Sequence, residues 1–305
     1  MEHQFIVTNG IRLHVVQAGP ESGPLLIFLH GFPEFWYGWR HQISYFASAG
    51  YRVWVPDQRG YNRSDKPEGV GTYRLEQIAA DAVGLIDAAN RRTAFLVGHD
   101  WGAAVAWWIA EHHPERLERM AILNGPHGAV FQRHLLHSPT QWLRSAYLLF
   151  LQIPKLPEVI SRLRQWRLPT KALQRSSRPG TFTAEDLDWY RQAWSQPGAY
   201  TAMVNWYRAM LRWPPKYPAN PRIKVPTLLL WGVQDRFLER EMAQPSIDLC
   251  DDGRLIFVEA ATHWVQHEEA QRVNVWIDAF LRGAAVGVQL EKAAQRNHAL
   301  KGFGN

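Results

Sequence analysis

Short, uninterrupted apolar runs alternate with longer stretches of helical periodicity along most of this 305-residue chain. Residues 25–29, Leu-Leu-Ile-Phe-Leu, are the clearest run. Successive side chains of a strand point to opposite sides, so a run apolar at every position predicts a strand covered on both faces. Residues 51–55, 93–98, 120–124, 225–231 and 255–258, mostly apolar, read as further strands. Between them, residues 75–89 set Leu75, Ile78, Ala79, Ala82, Leu85, Ile86 and Ala89 at spacings of three and four, which predicts a helix packed along one side. Further helices are expected over 39–49, from 101 to about 113 (where Pro114 helps to end it) and over 269–281. Near the start, residues 5–7 and 12–18 flank Asn9-Gly10, a pair suited to the positive φ angles of a tight hairpin turn. Strand and helix in alternation argue for an α/β domain with a mostly parallel sheet and helices on both faces.

The alternation stops between residues 128 and 220. That stretch has helical segments and no convincing buried strand, and is punctuated by prolines from Pro154 to Pro218. Thr183 with Asp186 three residues later marks a helix start. The chain therefore divides into an α/β core at 1–127 and 221–282, an inserted helical lid or cap at 128–220, and a tail at 283–305 with room for a short helix. No internal repeat is present.

Composition narrows the class. Hydrophobic residues make up 46% and charged residues 20%, ordinary for a soluble enzyme with a large core. The net charge of +6 comes from basic residues spread along the chain. The densest group, 162–178, reads as a solvated helical face, so no nucleic acid is expected as a partner. The single cysteine, Cys250, rules out an intrachain disulfide and a Cys-based zinc site. No run of about eighteen apolar residues exists, so no membrane span and no membrane partner are expected. The first residues do not form a basic segment followed by an apolar run, which points to the cytoplasm.

Ligands of an open parallel sheet gather beyond the carboxyl ends of its strands. The segments following the predicted strands are His30-Gly31-Phe32-Pro33, Gly98-His99-Asp100-Trp101-Gly102, Gly232-Val233-Gln234-Asp235 and Ala261-Thr262-His263-Trp264. Asp100, Asp235 and His263 can thus converge in the order nucleophile, acid, base, the chain order of serine hydrolases of this kind with Asp in place of Ser. Singly, each has a plainer reading. Asp100 can be a helix cap, Asp235 a turn residue and His263 a partly buried polar group.

From the first hairpin to about Leu281, lid included, the chain resembles the α/β-hydrolases of the epoxide hydrolase and haloalkane dehalogenase group. The resemblance rests on His30-Gly31-Phe32-Pro33, Gly98-His99-Asp100-Trp101-Gly102, Gly232-Val233-Gln234-Asp235 and His263-Trp264-Val265-Gln266-His267-Glu268, four motifs in family order. It implies an alkyl ester on Asp100, water activated by His263 with Asp235 behind it, and an oxyanion hole made by the backbone N–H groups of Phe32 and Trp101. It also implies two lid tyrosines that donate to an epoxide oxygen. Ser145-Ala146-Tyr147 and Trp206-Tyr207-Arg208 resemble those segments, giving Tyr147 and Tyr207, with Tyr190 a similar-looking decoy. Pocket candidates are His30, Pro33, Trp36, Phe150, Trp206 and Trp264.

Dehalogenases of the group commonly place Asn after His-Gly, or Arg after the nucleophile. Phe32 and Trp101 stand there instead. Expected, then, is an epoxide hydrolase acting on a small-molecule epoxide and water, as a monomer or homodimer, without metal or organic cofactor. A haloalkane or haloacetate dehalogenase using the same triad is the alternative, and a non-catalytic binding protein of this fold the next. Glu34, beside the oxyanion-hole loop, can position water or be a plain loop charge.

Overall fold

The computed structural model describes residues 1–284. The chain runs through β1 (Glu2–Thr8), β2 (Ile11–Ala18), β3 (Leu25–Leu29), α1 (Arg40–Ser48), β4 (Arg52–Pro56), α2 (Leu75–Ala88), β5 (Ala94–His99), α3 (Trp101–His112) and β6 (Leu117–Leu123). Six helices follow: α4 (Gly128–His137), α5 (Pro139–Arg144), α6 (Tyr147–Leu151), α7 (Leu156–Ser176), α8 (Ala184–Ser195) and α9 (Ala199–Arg212). The sheet then resumes with β7 (Thr227–Gly232), α10 (Ala243–Ile247), β8 (Gly253–Val258), α11 (Val265–Glu268) and α12 (Ala270–Leu281).

The eight strands form one sheet in the order β1-β2-β4-β3-β5-β6-β7-β8. β1 and β2 pair antiparallel through Asn9 and Gly10, whose φ angles of 47° and 74° suit the tight turn. β2 is also antiparallel to β4, and every later pairing is parallel. The central strands β3, β5 and β7 are buried at every position, whereas the edge strand β1 is largely exposed. Helices α1 and α12 pack together, as do α2 and α3. This is the α/β-hydrolase fold, with a mostly parallel sheet.

Two boundaries depart from the sequence expectation. β6 begins three residues early because Leu117-Glu118-Arg119 alternates rather than running apolar. Residues 36–39 form a separate 3-10 turn before α1. The helices α4–α9 lie between β6 and β7 without a strand among them. Thr183 and Asp186 form a capping box at the start of α8, each side chain bonded to the other's backbone N–H. α7 is broken at Leu163–Trp166, where Arg164, Gln165 and Trp166 take left-handed φ angles of 51°, 55° and 64°. Such a conformation costs an L-residue roughly 1–2 kcal/mol. Trp166 offsets part of this by burying its ring and donating its indole N–H to Ser195 Oγ at 2.6 Å. The short helix expected in the tail lies outside the described residues.

Candidate active site

β5 leads directly into the turn that carries Asp100. Its φ of 52° and ψ of −115° lie outside the ordinary regions for an L-residue, a strain of about 1–3 kcal/mol. Close approach on all sides enforces it. A Cβ at Gly98 would stand 2.3 Å from the Gly102 carbonyl oxygen, and one at Gly102 only 2.0 Å from that of Leu29. A Cβ at Gly31 would lie 2.4 Å from the Asp100 side chain. Although Asp100 occupies the N-cap position of α3, its carboxylate makes no capping bond. Oδ1 instead accepts from the backbone N–H of Phe32 at 2.7 Å. The plain capping reading therefore fails, and the carboxylate faces the loop after β3.

Asp235 follows β7 and His263 follows β8. His263 Nδ1 is 2.7 Å from Asp235 Oδ2, and His263 Nε2 is 3.7 Å from Asp100 Oδ2. Asp235 Oδ1 accepts from the N–H groups of Phe237 and Leu238 at 2.7 and 3.0 Å. Asn124, at the end of β6, donates to Asp235 Oδ2 at 2.8 Å and accepts from Gly232 N–H at 2.9 Å. Every lone pair of the buried acid facing protein is thereby engaged in fixing its rotamer. Burial alone would raise the Asp235 carboxyl, but the adjacent His263, together with the N–H groups of Phe237 and Leu238, outweighs it and holds Asp235 below the usual range. Burial likewise pushes His263 down, while Asp235 and then Asp100 pull it up to about 9.

The tyrosines come from the helical insertion. Tyr147 starts α6 and Tyr207 lies on α9; their rings meet edge-to-face at 6.0 Å. Trp101 packs edge-on against Tyr207 at 5.1 Å and Trp206 at 5.5 Å. As a residue Tyr147 is 41% exposed, yet its hydroxyl end is enclosed. Desolvation, followed by the charge of Asp100, raises the hydroxyl of Tyr147 above its ordinary value. Desolvation, with Tyr147 and Asp100 behind it, does the same at Tyr207. Both hydroxyls are accordingly protonated donors at neutral pH. Asp100, Trp101, Tyr147 and Tyr207 share the wall of one cavity of about 190 Å³, with Phe131, Leu148, Met210 and Trp213 among the other surfaces.

Of the six pocket candidates only Trp206 borders this cavity. His30 is fully buried below the loop, accepting from Gln58 N–H at 3.1 Å. The Pro33 carbonyl receives the Trp194 indole N–H at 2.6 Å. Trp36 packs on His3 and Tyr37, and Phe150 against the hydrophobic core. Trp264 turns its indole N–H to Ser176 Oγ at 2.9 Å. Each is drawn away by a partner that chain position does not reveal. Tyr190 donates to Glu34 Oε1 at 2.6 Å and is absent from the cavity wall. Glu34 itself is buried, 2.7 Å from His267 and 3.3 Å from His99. Burial would raise its carboxyl, but His267 and His99 outweigh that and hold it well below the usual range. It belongs to a polar network beneath the site rather than to the cavity surface. Among the described residues no group of three or more His, Cys, Asp or Glu is placed to hold a metal ion.

Gln141 and Arg144 were not apparent from the sequence. Gln141, fully buried in α5, accepts from Glu239 N–H at 2.9 Å and donates to the Phe237 carbonyl at 2.8 Å. Arg144 donates to the Asp235 carbonyl at 3.0 Å. One short helix of the insertion thus clasps the loop that carries the acid. Gln141→Leu strands a buried N–H and a buried carbonyl. It is expected to cost about 1–3 kcal/mol in thermal unfolding and to lower turnover severalfold. A folded variant with unchanged turnover would detach this clasp from the chemistry.

Residues 24–270 match the family model described as the alpha/beta hydrolase fold. The chain is 47% identical over 283 residues to the AB hydrolase superfamily protein YfhM of Bacillus subtilis (strain 168), covering 92% of this chain and 97% of that one. It is 39% identical to epoxide hydrolase 4 of Mus musculus, over 91% of this chain and 78% of that one. The crystal structure of an epoxide hydrolase of Bacillus megaterium in complex with an inhibitor superimposes with a TM-score of 0.82 at 29% identity, covering 92% of this chain and 100% of that one. This chain belongs to the α/β-hydrolase family and, within it, to the group of the epoxide hydrolases.

Proposed function

We propose that this protein opens an epoxide to a vicinal diol in two steps. The observation that carries the proposal is the facing pair of an uncapped Asp100 carboxylate and two protonated tyrosines across one apolar-walled cavity. In the first step an Asp100 oxygen attacks an epoxide carbon. The C–O bond of the ring breaks, and the departing oxygen takes a hydrogen bond and a proton from the Tyr147–Tyr207 side. The product is a hydroxyalkyl ester on Asp100. In the second step His263 removes a proton from water, whose oxygen attacks the ester carbonyl carbon. Phe32 N–H, which already donates to Asp100 Oδ1 at 2.7 Å, and Trp101 N–H receive the developing oxyanion. Collapse expels the diol oxygen, which takes the proton of the newly formed carboxyl and leaves the Asp100 carboxylate. The proton held by His263 passes through solvent to the tyrosinate, and the resting protonation of His263, Tyr147 and Tyr207 is restored. The insertion acts as a lid that supplies both tyrosines.

A halide reading has less support. A halide departs as an anion and needs no proton, so it leaves the two tyrosines without a task. The position after His30-Gly31 is Phe32, with no side-chain donor.

A single turnover in heavy-oxygen water tests the two steps. The first diol formed should carry almost no label, because its new oxygen comes from Asp100, and the label should enter the Asp100 carboxylate instead. Label appearing fully in that first diol would show direct attack by water and end the covalent reading.

A further inference from the structure

Large apolar side chains left in water are concentrated on the helical insertion. Trp142, Leu143, Leu149, Leu156, Val159 and Leu163 are 54%, 68%, 59%, 40%, 56% and 58% exposed. Single exposed apolar residues are ordinary, whereas a concentrated set marks a site of interaction. Leu156, Val159 and Leu163 stand three and four residues apart, one outward stripe along the first half of α7. A helix in water normally turns such a stripe inward. Tyr147, Leu211 and Trp213 are exposed as well and also border the cavity. Exposed apolar side chains of the insertion thus also occur at the cavity wall.

Charge is concentrated on the same segment. Residues 128–220 hold thirteen Lys and Arg against four Asp and Glu, while the rest of the chain holds 21 against 24. The whole positive excess of the protein sits on the insertion. Among the described residues, Arg162, Arg164, Arg167, Lys171 and Arg175 have no carboxylate in ion-pair contact. Arg162 and Arg164 flank Leu163, and Arg167 precedes the exposed Leu168.

We propose that this insertion docks peripherally on an anionic lipid bilayer, its Leu and Val stripe at the acyl boundary and its Arg and Lys on the headgroup phosphates. Such a surface offers both an apolar layer and negative charge, the two features the insertion complements. Nucleic acid supplies phosphate but no apolar layer for the stripe. A second copy of this chain would bring one cationic surface against another. The docking departs from two expectations, that of no membrane partner and that of a purely solvated face at 162–178, because the outward apolar stripe depends on how α7 is seated. The proposal extends to the cavity: its exposed Tyr147, Leu211 and Trp213 would turn toward the bilayer, and apolar substrate would enter from lipid. That consequence rests on the epoxide reading, and the docking does not.

The test is co-sedimentation of the full chain with phosphatidylcholine vesicles, with and without phosphatidylglycerol. Expected is binding to the anionic vesicles only, weakening as salt rises. The charge-reversal variant R162E/R164E/R167E should bind about a hundredfold more weakly, and L156S/V159S/L163S at least about tenfold more weakly. Both should keep the wild-type rate on a water-soluble epoxide, since none of these six residues borders the cavity. Equal binding to neutral and anionic vesicles overturns the proposal, as does wild-type binding by both variants. So does a concentration-dependent dimer in sedimentation velocity that the serine variant dissolves, together with absence of vesicle binding. Vesicle binding without turnover of any epoxide supports the docking and removes only the substrate route.

Discussion

His263→Gln is expected to stop the reaction halfway. Glutamine fills much of the space of the imidazole and can still face Asp235, but it cannot accept a proton from water. Ester formation on Asp100 needs no base, so the first step should proceed. Ester hydrolysis should then fall by about a hundred- to ten-thousandfold, the usual contribution of a positioned general base. Intact-protein mass spectrometry after mixing with a reactive epoxide should show the mass of one substrate added, and peptide mapping should place it on Asp100. Full turnover by this variant would remove His263 from the base role.

The same residue gives a pH prediction with a definite sign. In the resting protein His263 is raised to about 9, with Asp235 and Asp100 both contributing against burial. Esterification removes the Asp100 charge, while burial and Asp235 remain. The imidazole must therefore lose its proton more readily in the ester than in the free protein. Ester hydrolysis should rise with pH through a midpoint below 9, and titration of the free protein should show the higher value. Rapid-mixing kinetics across a pH series, beside imidazole resonances of the free protein, compare the two. A hydrolysis midpoint above the free-protein value would contradict the arrangement.

Tyr147→Phe and Tyr207→Phe should act on the other step. Without a donor the epoxide oxygen leaves as an alkoxide, a far poorer leaving group than an alcohol. Removing both hydroxyls is expected to slow ester formation by about a hundredfold or more, with ester hydrolysis little changed. Either single variant should lose less than half of that effect on a logarithmic scale, because the remaining hydroxyl still reaches the oxygen. Burst kinetics separate the steps, and thermal unfolding checks that the fold survives. A double variant with wild-type ester formation would remove the tyrosines from the mechanism and reopen the halide reading.

The two halves of the site differ in how far the sequence revealed them. Asp100, Asp235 and His263 each follow a strand, and strand ends are readable from apolar runs. The parallel sheet then places those ends side by side, so order along the chain became proximity in space. Tyr147 and Tyr207 came from local resemblance, since nothing in their spacing brings α6 onto α9. Gln141 gave no signal, because its role lies in two backbone groups of a loop nearly a hundred residues later. Trp36, Phe150 and Trp264 look like pocket material as residue types. Large side chains point wherever packing lets them, and here Ser176, Tyr37 and the core took them.

By itself the sequence determined the strand-and-helix alternation, the break into a helical insertion, and the positions of the three groups at strand ends. Those features are local: apolar period, turn chemistry and the steric freedom of glycine act over a few residues. The tertiary structure alone decided that the Asp100 carboxylate makes no capping bond to α3, that Tyr147 and Tyr207 share one cavity with it while Tyr190 does not, what else walls that cavity, and that the insertion leaves apolar side chains exposed. These depend on which distant surfaces meet, and side-chain direction at such a meeting is set by packing rather than by neighbours in the chain.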